Sequence, residues 1–465
     1  MGFKKIDQSD ITFFINVFGK ENVFLQDEIH DDYTHDEMME YGKFMPDVVI
    51  KAENSEQIST LMQYCNQHMI PVTPRGTGTG LCGGCVAIYG GIVLSLEKMN
   101  KIIEIDKSNL VVVCEPGVLL MELAAKVSED GFLYAPDPGE KSATVGGNVM
   151  TNAGGMRAVK YGVTRDYVRG MEVVLPSGEI VEFGGKIAKN SSGYSLKDLM
   201  IGSEGTLGIV TKLYLKLLAK PKKMISLLVP FNDLRSCLNL VPKILALPNQ
   251  PTTLEFCEKE VIEDAIQYLG KSFPNKDYPA YLIVSYSGNT RSEIELMYED
   301  TAKLCLEHDA IDVFISDTDE RQDSIWSARG AFLEAIKGST STMDECDVVV
   351  EIDKVYSFLE YVKSLAEQFD VRIRNFGHAG DGNLHCYVCK DDLNDERWHY
   401  VVNECMRLMY QKADELKGLT SGEHGIGHAK KEYLQNTVKD VQIDLMRKIK
   451  LVFDPVGILN PGKVI

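Results

Sequence analysis

No stretch of this 465-residue chain approaches the roughly 18 to 20 consecutive apolar residues that a bilayer span requires, which excludes a helical membrane protein. Internal repeats and low-complexity linkers are also missing, which excludes solenoids and long disordered tethers. Cationic residues are in deficit: 49 Lys and Arg stand against 68 Asp and Glu, for a formal net charge of −19. Phosphate-backbone binding needs a basic footprint, so a nucleic-acid partner is excluded, whereas a small anion held by a few local arginines is not. The opening residues, MGFKKIDQSDITFF, lack the apolar core of a secretory leader. The 11 cysteines are odd in number and scattered, the pattern of reduced thiols in a cytoplasmic protein. Two CxxC pairs, Cys82/Cys85 and Cys386/Cys389, have no second pair beside them, so neither builds a four-cysteine zinc or iron–sulfur site. Both read as packing cysteines.

A chain this long exceeds one ordinary hydrophobic core, so two or three domains are expected. Residues 1–45 form a polar lead-in with helical fragments. From Pro46 the pattern changes: Asp47 to Lys51 reads as a strand, and Asn54 with Gln57 fits a capping box. Ile58, Leu61, Met62 and Cys65 then follow at helical spacing, and Pro71 to Pro74 returns as a strand. Further strands are predicted at 91–96, 109–114, 171–176 and 209–217, and a second helix near 116–132 with Leu120, Leu123, Ala124 and Val127 in register. Pro221, flanked by Lys220, Lys222 and Lys223, marks a boundary. Residues 221–415 alternate strands with longer helices, an α+β pattern, and 416–465 ends in turn formers that would fray unless docked.

Three glycine-rich loops fall in the 46–220 block. Gly78, Gly80 and Gly83 have GxGxxG spacing after a strand, yet no helical stripe follows, so the dinucleotide fingerprint lacks its required context. The bare backbone of this loop still suits an anion, because many N–H groups are left without Cβ shielding. A second loop runs from Pro136 through Ser142 and Thr144, the expected cap of a short helix whose Gly146 and Gly147 let a ligand pack, to Gly155. The third is Gly202-Ser-Glu-Gly-Thr-Leu-Gly-Ile. Three such loops suit a long ligand with a pyrophosphate in its middle.

Histidine is concentrated in two glycine-framed segments. His378 and His385 flank a glycine turn between two predicted strands and are expected to face each other across a hairpin, about 5 Å apart at Cβ and within reach of one metal ion. Glu423, His424 and His428 follow in SGEHGIGH. A divalent ion on two imidazoles and a carboxylate, with open positions, leaves net positive charge to meet an anionic oxygen ligand.

PRGTGTGLCGG, PDPGEKSATVGGNVMTNAGG, KYGVTRDYVRGMEVVLPSGE and GSEGTLGIV together resemble the FAD domain of the vanillyl-alcohol oxidase-type, or PCMH-type, flavoproteins. Within them the chain is similar, from about residue 40 to 465, to the branch of glycolate oxidase, D-lactate dehydrogenase and D-2-hydroxyglutarate dehydrogenase. The resemblance implies an α+β fold with a two-part PCMH-type FAD-binding domain (46–220), an α+β cap domain with an antiparallel sheet (221–415), and a C-terminal segment (416–465) returning to the flavin. It implies that Pro74, Arg75, Gly76, Thr77, Gly78, Thr79, Gly80 and Leu81 hold the pyrophosphate. Pro136, Ser142, Gly146, Gly147, Asn152, Gly155, Tyr161, Gly162, Glu204, Gly205, Ile209 and Asn460 would line the rest of the FAD site, with Lys463 also in the returning tail. The first loop has no histidine to tether the cofactor, so non-covalent FAD is expected. By the same resemblance His378, His385 and Glu423 are metal ligands for zinc, iron or manganese, His424 is the catalytic base, and Arg329 grips the substrate carboxylate.

The chain departs from its hydroxyglutarate-specific relatives at Leu333, where a hydroxyl residue is expected, and at the acidic run Asp344-Glu345-Cys346-Asp347, where a lysine is expected. Acid there would repel a second substrate carboxylate, so D-lactate is favoured over D-2-hydroxyglutarate or glycolate. With no haem or cluster motif, the electrons are expected to leave for an electron-transferring flavoprotein or an iron–sulfur subunit. The rival readings are an ether-lipid synthase and a non-catalytic FAD-binding subunit, and the histidine clusters argue against both.

Overall fold

The computed structural model describes residues 2–274 and 276–465. The chain divides into two compact units. The first combines residues 1–154, 163–220 and 423–465; the second combines 155–162 with 221–422.

The first unit holds two sheets. Strands β1 (Val23–Leu25), β2 (Val48–Lys51), β3 (Val72–Arg75) and β4 (Ile92–Ser95) lie in the order β1-β2-β4-β3, with β4 parallel to both β2 and β3. Parallel strands need a crossover, and the helix Ser55–His68 supplies it between β2 and β3. Asn54 caps that helix by accepting from Gln57 N at 2.9 Å, while Gln57 Oε1 accepts from Glu53 N at 2.9 Å. Its stripe Ile58, Leu61, Met62 and Cys65 is fully buried against Phe14 and Phe18 of the helix Gln8–Phe18, so the lead-in is part of the core. Strands β5 (Ile102–Asp106), β6 (Val111–Cys114), β8 (Val168–Val174), β9 (Ile180–Gly184) and β10 (Ile209–Lys216) form an antiparallel sheet in the order β5-β6-β10-β8-β9, and the short β7 (Phe132–Leu133) pairs with β11 (Leu218–Ala219). In the helix Leu120–Glu129 the positions Leu120, Leu123 and Val127 are buried as the spacing predicts, but Ala124 is exposed.

The second unit is built on one seven-stranded sheet, every pairing in it antiparallel. It comprises β12 (Lys223–Phe231), β13 (Thr253–Glu258), β14 (Ala280–Gly288), β15 (Phe314–Ser316), β16 (Met343–Val349), β17 (Arg372–His378) and β18 (Asn383–Cys389), ordered β15-β12-β14-β13-β17-β18-β16. Strands β14 and β18 are buried along their whole length, as expected of central strands covered on both faces. Among the described residues, no helix is long and apolar enough to cross a membrane.

The chain end docks in the first unit. Ile458 and Leu459 are fully buried, Val72 N donates to Ile458 O at 2.9 Å, and Asn460 N donates to Val72 O at 2.8 Å, so the tail runs along the edge of β3. Asp454, itself fully buried, holds this turn. Its carboxylate accepts from the N–H groups of Gly457, Ile458 and Leu459 and pairs with Lys450. Removing one partner of a buried pair strands the other charge, at a cost of about 3–5 kcal/mol. Asp454→Ala is therefore expected to destabilise the first unit by about that amount. The check is its urea midpoint together with the rate of proteolysis within 455–465.

Candidate functional site

In the first unit β3 runs straight into the glycine loop. Turns and bends, and no helix, occupy the chain from there to β4, so this is not a dinucleotide fingerprint. The first and second glycine loops meet: Thr77 Oγ1 donates to Ser142 O at 3.0 Å, and a Cβ on Gly76 would stand 2.2 Å from Thr144 Oγ1. Thr144 caps the helix Val145–Thr151 by accepting from Gly147 N at 3.2 Å. Gly146 owes its bareness to the protein itself, since a Cβ there would lie 2.5 Å from Pro116. One residue beyond Gly147, the buried Asn148 Nδ2 has no partner among the described residues, a donor that the sequence reading passed over.

Arg75 is buried, and its guanidinium donates to the carbonyls of Asp32 and His35 and to Cys85 Sγ. It ties the loop to the lead-in. The third loop is tied to the chain end through Glu204, which adopts φ +52°. Burial pushes the Glu204 carboxyl pKa up, against the N–H groups of Ile426 and Gly427, each donating to it at 2.7 Å. Asn460 Nδ2 donates to the carbonyls of Glu204 and Gly84 at 2.7 and 2.9 Å. Lys463 Nζ donates to Val86 O at 2.6 Å, and burial lowers its pKa to about 8. Cys82 O accepts from the N–H groups of His428 and Ala429, and Cys82 Sγ lies 3.2 Å from His424 O. Gly154 makes room for Glu423, whose Oε2 would be 2.6 Å from a Cβ there. Within the first unit the glycine loops, the segment 423–428 and the tail are thus one assembly, while Gly155, Tyr161 and Gly162 belong to the second unit, where Tyr161 OH lies 3.4 Å from Ser287 Oγ.

The second unit gathers Arg329, His378 and His385. The register pairs Phe376 with His385 and His378 with Asn383, so the histidines are diagonal neighbours and not opposite partners as predicted. The turn of residues 379–382 sets that offset, and the rings still meet with centroids 5.4 Å apart. Two carboxylates that sequence reasoning missed hold these rings. Glu255 accepts from His378 Nδ1 at 2.8 Å and, through Oε2, from Arg329 Nε and Nη2 at 2.8 and 2.6 Å. Burial alone would raise the Glu255 pKa, but His378 and Arg329 outweigh it and hold the carboxyl below its ordinary range. Glu345 Oε1 accepts from His385 Nδ1 at 3.0 Å and from Tyr387 OH at 2.7 Å. Asp347 accepts from Asn383 Nδ2, Ser421 Oγ and Gly422 N. Within the acidic run, Glu345 and Asp347 are thus buried and hydrogen-bonded inside the unit. The one signal available in the sequence was an acid within a strand: Glu255 in Thr253–Glu258, and Glu345 and Asp347 in Met343–Val349. Phe376 floors the cluster, with Arg329 over its ring at 4.8 Å, His385 tilted against it at 5.2 Å and Tyr387 stacked at 5.6 Å.

Comparison with known proteins agrees with this architecture. Residues 46–184 match the family model "FAD binding domain", and 220–464 match "FAD linked oxidases, C-terminal domain". The chain belongs to the FAD-linked oxidases and is an FAD-dependent oxidoreductase. It is 50% identical to a D-lactate dehydrogenase of Anaerostipes hadrus, over 96% of this chain and 94% of that one. It is 38% identical to glycolate oxidase subunit GlcD of Bacillus subtilis, over 97% and 95%. Identity to D-2-hydroxyglutarate dehydrogenase of Stutzerimonas stutzeri is 31%, over 90% and 91%. In fold it is similar to p-cresol methylhydroxylase, with a TM-score of 0.82 at 18% identity over 99% and 98% of the two chains. The first unit, which carries the matched FAD-binding region, offers one buried and unpartnered polar donor to such a group, Asn148 Nδ2 in the helix of the second glycine loop.

Two titrating groups press on Gly83 of that cradle. Gly83 N donates to Asp36, whose pKa burial raises to about 6, and the ring of His428, whose pKa burial and Lys463 lower to about 4, lies where a Gly83 Cβ would be. Asp36 binds its proton more tightly folded than unfolded, so its contribution is full below its ordinary 3.8 and is lost as pH rises through about 6. His428 is the reverse: its contribution is present above 6.5 and lost as pH falls through about 4. The two oppose each other in this window. Relative to the parent protein, Asp36→Asn is expected to lose stability as pH falls from 6.5 to 4, and His428→Asn to gain it. Urea unfolding of the FAD-free proteins at four pH values checks both signs.

Proposed function

We propose that this chain oxidises D-lactate to pyruvate in the cytoplasm, with non-covalent FAD and a divalent metal ion. The observation that carries the reading is the buried cluster of Arg329 with two imidazoles, each bound through Nδ1 to its own carboxylate. A carboxylate on Nδ1 fixes the tautomer that keeps a lone pair on Nε2, the arrangement found at metal-binding histidines. Bound FAD would supply a hydride acceptor, and an ion held by His378, His385 and Glu423 would supply the positive charge that alcohol oxidation needs. Arg329 takes the substrate carboxylate, and its flat fork suits that group. His424 takes the hydroxyl proton as Cα gives up its hydride. The aromatic floor of Phe376 keeps water from the reacting carbon.

Identity of 50% to a D-lactate dehydrogenase supports the substrate, as does Leu333, which packs among apolar residues and offers no hydroxyl to a second carboxylate. The electrons pass to an external acceptor such as an electron-transferring flavoprotein or an iron–sulfur subunit, because the chain carries no haem or cluster motif of its own.

The test is the anaerobic visible spectrum of the FAD-loaded protein on adding D-lactate. The flavin band is expected to bleach, to stay oxidised after chelation, and to bleach again once Mn²⁺ is restored. His424→Asn is expected to slow bleaching by roughly 10²- to 10⁴-fold with FAD content unchanged. Bleaching by D-2-hydroxyglutarate or glycolate and not by D-lactate would move the substrate. A protein that binds no FAD would overturn the reading.

A further inference from the structure

A 2-hydroxy acid carries its hydroxyl and carboxylate on neighbouring carbons, so the groups that receive them must sit at one fixed separation. Nothing in the backbone enforces this for His378 and Arg329. The first ends strand β17, and the second lies in the last turn of the helix Asp319–Gly330. One side chain joins them. Glu255 takes His378 Nδ1 on one side and Arg329 Nε and Nη2 on the other. The register that pairs Phe256 with Gly377 brings Glu255 level with His378. Glu255 and Arg329 are both buried, and the rings of Phe332 and Phe376 flank the guanidinium at 5.6 and 4.8 Å.

We propose that Glu255 is a positioning residue which sets the spacing between the metal-binding imidazole of His378 and the substrate-gripping guanidinium of Arg329, so that metal affinity and substrate affinity depend on one carboxylate. The inference rests on the function proposed above. The pair engages Nε and Nη2 of Arg329 and not Nη1, so the clamp holds the side chain by its inner edge. A buried guanidinium that only needed its charge balanced would be served by any nearby carboxylate. The second contact, to His378, makes this one a coupler.

The experiment uses FAD-loaded parent protein, Glu255→Gln and Glu255→Asp, each stripped with chelator and titrated with Mn²⁺ without substrate, then assayed for KM and kcat on D-lactate with an artificial dye acceptor. Glutamine keeps the shape and loses the charge. Aspartate keeps the charge but is one methylene too short to reach both partners. The expected result for Glu255→Gln is Mn²⁺ affinity weaker by roughly 10- to 100-fold together with a KM raised roughly tenfold or more, at unchanged FAD content. Glu255→Asp is expected to recover one of the two and not both. Parent-like Mn²⁺ binding in Glu255→Gln overturns the inference. So does full recovery of both properties by Glu255→Asp, or loss of FAD and of the folded state in both variants, which would make Glu255 a general core residue. A parent protein that binds Mn²⁺ and turns over D-lactate while its variants behave identically sinks the inference alone. A parent that does neither sinks the proposed function with it.

Discussion

A carboxylate withdrawn from water must be met by donors or by opposite charge, and both units of this protein are organised around carboxylates in that position. In the first unit Glu204 sits in a left-handed backbone conformation, and its burial is offset by the N–H groups of Ile426 and Gly427. That contact fixes the segment carrying Glu423 and His424 against the glycine loops. Asp454 does the same for the chain end. In the second unit Glu255, Glu345 and Asp347 are all buried, and each takes donors from at least two residues. Such residues are costly to remove because the partner left behind cannot be rehydrated. The geometry of the functional side chains is therefore fixed by charge and by hydrogen bonding more than by apolar packing.

The glycine loops follow from the same need for donors. A pyrophosphate brings negative charge to the protein, and a chain with a formal net charge of −19 has no long-range field to attract it. Short-range N–H groups can hold it if no Cβ stands in front of them. The guanidinium of Arg75, the cationic residue at the head of the first loop, donates to the carbonyls of Asp32 and His35. Its charge lies next to the loop while its hydrogen bonds hold the lead-in down.

What could be read beforehand was local. The helix Ser55–His68 was legible because its cap, Asn54, and its buried stripe lie within about three turns of one another. The loops were legible because glycine density is a composition signal. Long-range pairs were not: Glu255 meets His378 across 123 positions and Arg329 across 74, and no periodicity encodes such a contact. The burial of the acidic run at 344–347 was hidden for a related reason. Consecutive acids look solvated in sequence, but strand alternation sends Glu345 and Asp347 to the His385 and Tyr387 face and turns Cys346 toward the other. The diagonal offset of His378 and His385 was hidden because a four-residue turn decides register, and two residues of slip keep the same face.

The charge count in the second unit bears on how the proposed substrate is admitted. Burial alone would raise the Glu255 carboxyl, but His378 and Arg329 hold it below its ordinary range, so the guanidinium's charge is already balanced inside the protein. A fork balanced in that way offers a carboxylate geometry more than net charge. Under the proposed function a divalent ion would supply the missing positive charge, and a 2-hydroxy acid would meet it with its hydroxyl while its carboxylate meets Arg329. A dianion would need a further cation for its second carboxylate, so discrimination against diacids would not require the acidic run to repel them.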